Sequence, residues 1–449
     1  MKSVGIDIGT TSISAVVMDA RGDAIERAWT IANPGFLTPE HPWERIQDPD
    51  RIVATTKALL DEILAGEPEA GVIGLTGQMH GIVYLDGAGR AVSPLMTWQD
   101  MRASRPGPGG STVCEDIAAK YPVKAYPGYG LITHLHNLRA GEVPAGAVQI
   151  ATISDYFGMA VTGRTRPLLH SSNAASLGLY DPAAQAWRRD ILKDFGEAGG
   201  ILPEVANDYR AIGSYRGIPV GIAIGDNQAS FLGSVRNAGE EILINMGTGG
   251  QISLLCDRIL DAEEIETRPF NGDGYLVVGP SLCGGRAYAI LANFFRACGK
   301  AFGCAEPDAY AAMARFLEAP READPMRVDT TFDGTREHPS KRGGIANLST
   351  DNFTPQGLTR GVLEGMVREL LDRYRTMAEG LDVRRSHIVA SGNGMRRNPA
   401  LQRIAGEMFG MSLSLSKNTE EAACGAATVG TVAVGLKTWE EAVGFRREK

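Results

Sequence analysis

Cysteine is scarce and scattered in this chain. The six cysteines of its 449 residues form no Cys-x-x-Cys pair and no zinc-like spacing, which argues against a disulfide-stapled scaffold or a zinc module. Positive charge is not in excess either. Lys and Arg number 45 against 53 acids, for a net charge of −8, and a binder of nucleic-acid backbones would need the opposite sign. Long apolar runs are missing as well. An uncharged stretch such as 422–436 is glycine-rich and falls short of the ~18 residues that read as a membrane span. Asp7 interrupts the first apolar run, so the N-terminus does not read as a signal peptide; a cytoplasmic protein with reduced thiols is expected. The nucleotide signatures G-x-x-x-x-G-K-[ST] and G-x-G-x-x-G are absent too, so any nucleotide cradle must be of another kind.

What the chain has in plenty is glycine. It accounts for 55 of 449 residues, roughly 12% against the usual ~7%, and points to tight turns and close backbone approaches. The length suggests two large domains or three small ones. Val4, Ile6 and Ile8, then Gly9-Thr10-Thr11-Ser12, then Ile13, Ala15 and Val17 read as a hairpin, with a third strand after a turn at 19–23. Asp48-Pro49 opens a helix through Ile52, Leu59, Leu60 and Ile63 to Gly66, and 72–75 is a buried strand. The hairpin recurs at constant spacing: Ile244, Asn245, Gly247 and Thr248 answer Ile6, Asp7, Gly9 and Thr10, and Asp257 answers Asp19. Internal duplication explains this best. Domains are therefore expected at 1–236 and 237–449, each α/β. In the second, Thr354-Pro355 opens a long helix, and 387–390 is a strand leading into a Ser391-Gly392-Asn393-Gly394 loop. Asn398-Pro399 opens a helix, 413–415 is a strand, and Thr419-Glu420-Glu421 caps a last small-residue helix. Segments 105–110 and 320–344 read as loops.

Three glycine turns follow apolar strands, at Asp7 to Thr11, Asn245 to Gly250 and Ser391 to Gly394; such turns can hold a polyphosphate, or can be ordinary turns. The apolar run 219–224 reads as one buried strand with Asp226 at its carboxyl end, where catalytic groups of α/β proteins collect. A carboxylate there can accept a proton from an attacking hydroxyl, or it can cap the helix that follows. Gln78-Met79-His80-Gly81 separates the apolar strands 72–75 and 82–85. Buried Gln and His side chains need partners, which sugar hydroxyls or the core itself could supply. Trp98-Gln99-Asp100 sets an aromatic beside two polar groups, a sugar platform or part of the core. His134 and His136 lack a nearby third ligand, so no metal centre is expected there.

In order along the chain, Gly5-Ile6-Asp7-Ile8-Gly9-Thr10-Thr11, Gly77-Gln78-Met79-His80-Gly81, Thr97-Trp98-Gln99-Asp100 and Gly225-Asp226-Asn227-Gln228 resemble the FGGY carbohydrate kinases. So do Gly334-Thr335-Arg336 with Pro339, Gly392-Asn393-Gly394 and Glu420-Glu421-Ala422-Ala423. The resemblance implies a duplicated actin-like (ribonuclease H-like) α/β ATPase fold of two domains with a central cleft. It implies Asp226 as the base and Asp7 as the residue that positions Mg2+. Thr10, Thr11, Gly247 and Thr248 would hold the phosphates of ATP, and Gly392, Asn393 and Gly394 would meet its adenosine. Gln78, Met79, His80, Trp98 and Asn227 would line the sugar pocket, with Asp100, Asp155 and Asn173 discriminating sugars by length. Ser154-Asp155-Tyr156, Arg166-Pro167-Leu168 and Ser172-Asn173-Ala174-Ala175-Ser176 are most similar to the sedoheptulose kinases, with xylulose kinases as the alternative. At Thr133-His134-Leu135-His136 the chain departs from many relatives, which carry Lys and Trp. The expected partners are a small ketose and ATP, with no nucleic acid and no membrane. A reading from another class, a non-catalytic nucleotide-switched protein of the same fold, would need no polar sugar pocket.

Overall fold

The computed structural model describes residues 1–21, 24–304 and 308–444. They form two compact units. The first comprises Met1–Gly233, Arg268–Gly274 and Asn418–Gly444, and the second holds Ser234–Thr267 and Tyr275–Lys417.

The first unit is built on a sheet in the order Ile25–Ala32, Ser12–Asp19, Lys2–Ile8, Ala70–Gly77, Ile218–Gly221 and Ala211–Tyr215. The first three of these strands pair antiparallel, and Ala70–Gly77 lies parallel to both Lys2–Ile8 and Ile218–Gly221. The second unit repeats that order. Gly274–Ser281, Gly250–Cys256 and Glu241–Met246 are antiparallel neighbours, and His387–Ser391 and Ser412–Leu415 follow in parallel. One connectivity used twice is the structural form of the duplication. The match is not uniform, because Ile8 pairs with Ile13 whereas Met246 pairs with Gly250, so the second turn is shorter. Constant spacing therefore holds for the first strand of each hairpin only. Asp19 ends a strand opposite Lys2, while Asp257 lies beyond Gly250–Cys256, and that pair is not equivalent.

Alternation along the strands of the first unit sends side chains to two faces. Val4, Ile6, Ile8, Ala15 and Val17 pack with Ile52, Leu60 and Phe157 of the helices Pro49–Gly66 and Ile153–Thr162. Val16 and Met18 pack with Ala423, Cys424 and Ala427 of the helix Glu421–Ala433. That helix reaches the sheet because of two glycines: a Cβ on Gly5 would lie 1.9 Å from the Ala423 carbonyl oxygen, and one on Gly74 1.7 Å from that of Ala426. The units depart from a cut at 236/237 chiefly in that the segment Asn418–Gly444, with the helix Glu421–Ala433, returns to the first. Thr419 is not the cap of that helix. The capping position is Glu420, which makes no side-chain cap bond.

Other local readings meet the structure in detail. Asp48, Thr354 and Asn398 each cap a helix that begins with Pro. The run 219–224 is not one strand, because Ile218–Gly221 breaks at Ile222-Ala223 and resumes as Ile224–Gly225 beside the end of Ala70–Gly77. Val83–Leu85 leaves the main sheet to pair with Gln149–Ala151. Of the turn expected at 19–23, Gly22 and Asp23 lie outside the described residues. The second core gathers Ile242, Ile244 and Ile252 against Val362, Met366 and Leu370 of the helix Pro355–Leu381. Among the described residues, no helix is long and apolar enough to cross a membrane.

Candidate active site

In the first unit, Lys2–Ile8 and Ala70–Gly77 end side by side, with Asp7 opposite Thr76 and Ile8 opposite Gly77. The chain then turns, and the Gln78 amide donates to the Ile8 carbonyl at 2.9 Å. A closed polar circuit fixes the Gln78 side chain. Thr10 Oγ1 donates to Gln78 Oε1 at 3.1 Å, and Gln78 Nε2 donates to Gln47 Oε1 at 2.8 Å. Gln47 Nε2 returns to the Thr10 carbonyl at 2.8 Å. Trp98 Nε1 also donates to Thr10 Oγ1, at 3.0 Å. The Thr10 hydroxyl, expected at the phosphates, is thus committed to two residues expected at the sugar, while Thr11 is exposed. Gln47, fully buried, was not expected; only its place before the Asp48 cap points to it. The indole of Trp98 remains 45% exposed, a flat apolar face held by its one polar atom.

His80 stands in the left-handed region at φ 72°, a strained conformation for a residue with a Cβ. Its ring stacks on Tyr129 with centroids 4.6 Å apart, and Nδ1 lies 2.7 Å from the Ser176 carbonyl oxygen. A carbonyl only accepts, so Nδ1 carries the hydrogen.

Asp226 opens the helix Asp226–Ser234 directly after Ile224–Gly225. Asn227 Nδ2 donates to Asp226 Oδ1 at 3.1 Å and approaches Met79 Sδ at 3.4 Å. Burial pushes the Asp226 carboxyl up to about 6, against the opposing pull of Arg268 and the Asn227 hydrogen bonds. Asp7 is pushed further, to about 8, by burial and then by the charges of Asp226 and Glu420. Its Oδ1 is buried with no hydrogen-bond partner among the described residues. Glu420, part of the Glu420-Glu421-Ala422-Ala423 motif, accepts from Thr30 Oγ1 through its Oε1 at 3.0 Å.

Three expected sugar readers are placed otherwise. Asp100 is fully buried and receives the Arg45 and Arg102 amides, together with the Arg102 guanidinium at 2.8 and 3.0 Å. Its acceptors are spent on the loop that carries Trp98. Asp155 accepts from Thr152 Oγ1 at 2.6 Å and from Asn173 Nδ2 at 3.2 Å, and Asn173 Nδ2 also reaches the Ala223 carbonyl at 3.3 Å. Both are enclosed, and burial raises Asp155 to about 7 against the pull of those bonds. These bonds tie Asp155 and the Asn173 amide nitrogen to the interior, while Asn173 Oδ1 is buried with no hydrogen-bond partner among the described residues. His134, buried in the helix Gly130–Ala140, bonds the Tyr84 hydroxyl at 2.9 Å and Glu197 at 2.8 Å.

In the second unit, Gly247, Thr248, Gly392, Asn393 and Gly394 come together on one cavity of about 1080 Å³. Gly392, at φ 82°, would drive a Cβ to 2.5 Å from the Met246 carbonyl oxygen, and one on Gly394 would meet the same atom at 2.7 Å. The segment expected as a loop is instead a short helix, Gly392–Arg396. Gly285 and Arg286 also line the cavity and were missed. Their amides donate to the Gly247 and Thr248 carbonyls at 3.0 Å each. A Gly-Gly pair between a strand and an amphipathic helix is the sequence signal for them. The charged side chains lining this cavity are Arg286, which pairs with Asp333 at 3.0 Å, and Arg397; two cations in the wall suit an anionic ligand.

Residues 3–233 match the N-terminal domain of the FGGY family of carbohydrate kinases, and residues 243–434 match its C-terminal domain. The chain is 26% identical to a sedoheptulokinase of Homo sapiens, over 95% of this chain and 96% of that one. It is 22% identical to a xylulose kinase of Staphylococcus epidermidis, over 98% and 90%. Its structure resembles a xylulose kinase from Rhodospirillum rubrum with a TM-score of 0.85, at 20% identity over 99% and 92% of the two chains. A gluconate kinase from Lactobacillus acidophilus gives 0.81, at 18% identity over 98% and 91%.

Proposed function

The chain belongs to the FGGY family of carbohydrate kinases, and from that premise we propose that it phosphorylates a ketose at a primary hydroxyl, with sedoheptulose as first choice. As a carbohydrate kinase it uses ATP as the phosphoryl donor. The observation that carries the reading is Asn227, whose amide joins Asp226 to Met79 of the Gln78-Met79-His80 turn. The proton acceptor and the sugar-reading turn are thereby one construction.

Asp226 accepts the hydroxyl proton as that oxygen attacks the γ-phosphorus of ATP, whose bond to the β–γ bridging oxygen breaks so that ADP leaves. A carboxyl near 6 is ionised at neutral pH yet basic enough to take the proton. Gln78, fixed by Thr10 and Gln47, presents a set amide to sugar hydroxyls, and Trp98 offers its face to the carbon skeleton. The cavity of the second unit suits ATP. Its glycines bring backbone close, and its volume lies just above the usual range of small-molecule sites, about 300–1,000 Å³.

The buried, partnerless Asp7 oxygen beside two further acids fits a divalent cation. No group of three His, Cys, Asp or Glu among the described residues could cage a metal, so Mg2+ would be held by Asp7 through water and the phosphates. When bound it would neutralise charge on the transferring phosphoryl group.

The first choice of sedoheptulose is supported by the likeness to the human and mouse sedoheptulokinases along 95% of the chain. A coupled assay of ADP release with sedoheptulose, xylulose and glycerol tests it. The highest kcat/KM is expected for sedoheptulose, with glycerol poor. A preference for xylulose would overturn the sugar and leave the ketose kinase standing. No sugar-dependent ADP release would favour a non-catalytic protein of the same fold.

A further inference from the structure

We infer that Thr76, Ser172 and Asn173 form a bracket that positions Asp226, an inference that rests on the reading of Asp226 as the base. The strand leading to Asp226 breaks at Ile222-Ala223 and resumes for two residues only. Backbone groups at such a break lose ladder partners and, when buried, need others. Three buried side chains supply them. Thr76 Oγ1 donates to the Ile224 carbonyl at 2.8 Å, and Asn173 Nδ2 donates to the Ala223 carbonyl at 3.3 Å. The Gly225 amide donates to Ser172 Oγ at 3.0 Å. All three side chains are fully enclosed, so water cannot replace them.

His170 sets the direction of the Ser172 hydroxyl. Its Nδ1 accepts the Ser172 amide at 3.2 Å and so carries no hydrogen; the Ser172 hydroxyl, 2.8 Å from the same nitrogen, must therefore be the donor. That leaves the lone pairs of Ser172 Oγ for the Gly225 amide. Burial keeps His170 neutral, with its pKa lowered to about 3, so the arrangement holds at any physiological pH. The position is also tight on its other side. A Cβ on Gly225 would stand 2.6 Å from Gln228 Oε1 and 2.7 Å from the Met79 methyl. The residue before the base is thus fixed by its amide, by the preceding carbonyl and by the sugar-reading turn. Asn173, expected to read a distal hydroxyl, acts here on every substrate alike.

A bracket and a plain structural role differ in what its loss changes. Thr76→Val removes one bond and Ser172→Ala two, to the Gly225 amide and to His170, each with little change in volume, and Thr76→Ser restores the hydroxyl. Steady-state kinetics on sedoheptulose and xylulose, with Asp226→Asn as reference, separate the cases. For Ser172→Ala and Thr76→Val, kcat should fall by about 10- to 100-fold, because misplacement of a reacting group costs on that order. KM for ketose and for ATP should stay within about 3-fold, since binding groups are untouched. The loss should be the same on both ketoses, and Thr76→Ser should recover most of it. Near-parental kcat in the folded variants, a raised KM with unchanged kcat, or a Thr76→Ser variant no better than Thr76→Val would each overturn the bracket. Should Ser172→Ala not fold, the Val and Ser variants at Thr76 decide. Near-parental turnover in Asp226→Asn would instead remove the base assignment itself.

Discussion

The two units share one strand order and put different chemistry at equivalent strand ends. In the first, Asp7 stands opposite Thr76; in the second, Asn245 stands opposite Ser391. A glycine follows in each case and presses on a carbonyl of the neighbouring strand, with a Cβ on Gly77 2.8 Å from Ile8 and one on Gly392 2.5 Å from Met246. Beyond that point they diverge. The first unit continues into Gln78 and a circuit of side chains, whereas the second continues into Gly392-Asn393-Gly394 and a wall of backbone. A carboxylate at the first strand end, raised to about 8 beside two other acids, answers an amide at the second. The same frame thus carries a site of directed side chains in one copy and an open backbone cradle in the other.

Removing the base should have the largest effect. Asp226→Asn keeps the shape and loses the proton acceptor, so kcat should fall by roughly 10²–10⁴ with ketose KM little changed. Next come two residues just past the strand ends, one from each unit. Gly392→Ala combines a left-handed backbone with a collision against Met246 and should cost on the order of 1–3 kcal/mol. It should raise KM for ATP well above any change in KM for the ketose. If it instead alters ketose KM alone, the division of labour between the two ends is wrong. Gln78→Leu strands the Thr10 and Gln47 partners, and the ketose KM should rise by about 10-fold with ATP KM unaltered.

The smallest effect is on stability. Asp7, Asp155 and Asp226 all have raised pKa values, at about 8, 7 and 6. The folded chain therefore holds protons that the unfolded chain releases near 4. Their stabilising contribution is complete below that value and is lost as pH rises through 6 to 8. In cation-free buffer, Tm should be lower at pH 8.5 than at pH 5.5. Asp7→Asn, which gives the first strand end the amide of the second, should narrow that difference while activity falls. An unchanged difference would mean that Asp7 is not the crowded acid.

What could be read from the sequence was local. The hairpins, the Asp48, Thr354 and Asn398 caps and the strand-ending glycines depend on neighbours a few residues away. The place of Asp226 at the end of a strand was legible because it follows an apolar run. The return of the helix Glu421–Ala433 to the first sheet was not, since it depends on Gly5 and Gly74 meeting residues more than three hundred positions away. Nor were the fates of Asp100, Asp155 and Asn173. A polar residue in a motif looks the same whether a ligand or a buried neighbour satisfies it. Gln47 and Ser172 stayed hidden for the same reason, because their value lies in the atoms they hold.

The pH dependence of kcat/KM for ADP release with sedoheptulose, measured on the parent and on Asp226→Asn, tests the central claim most directly. Transfer requires the ionised carboxylate, so the parent should lose activity as pH falls through about 6, and the residual activity of Asp226→Asn should lack that limb. A limb that persists in Asp226→Asn, or a parent without one, would contradict Asp226 as the base.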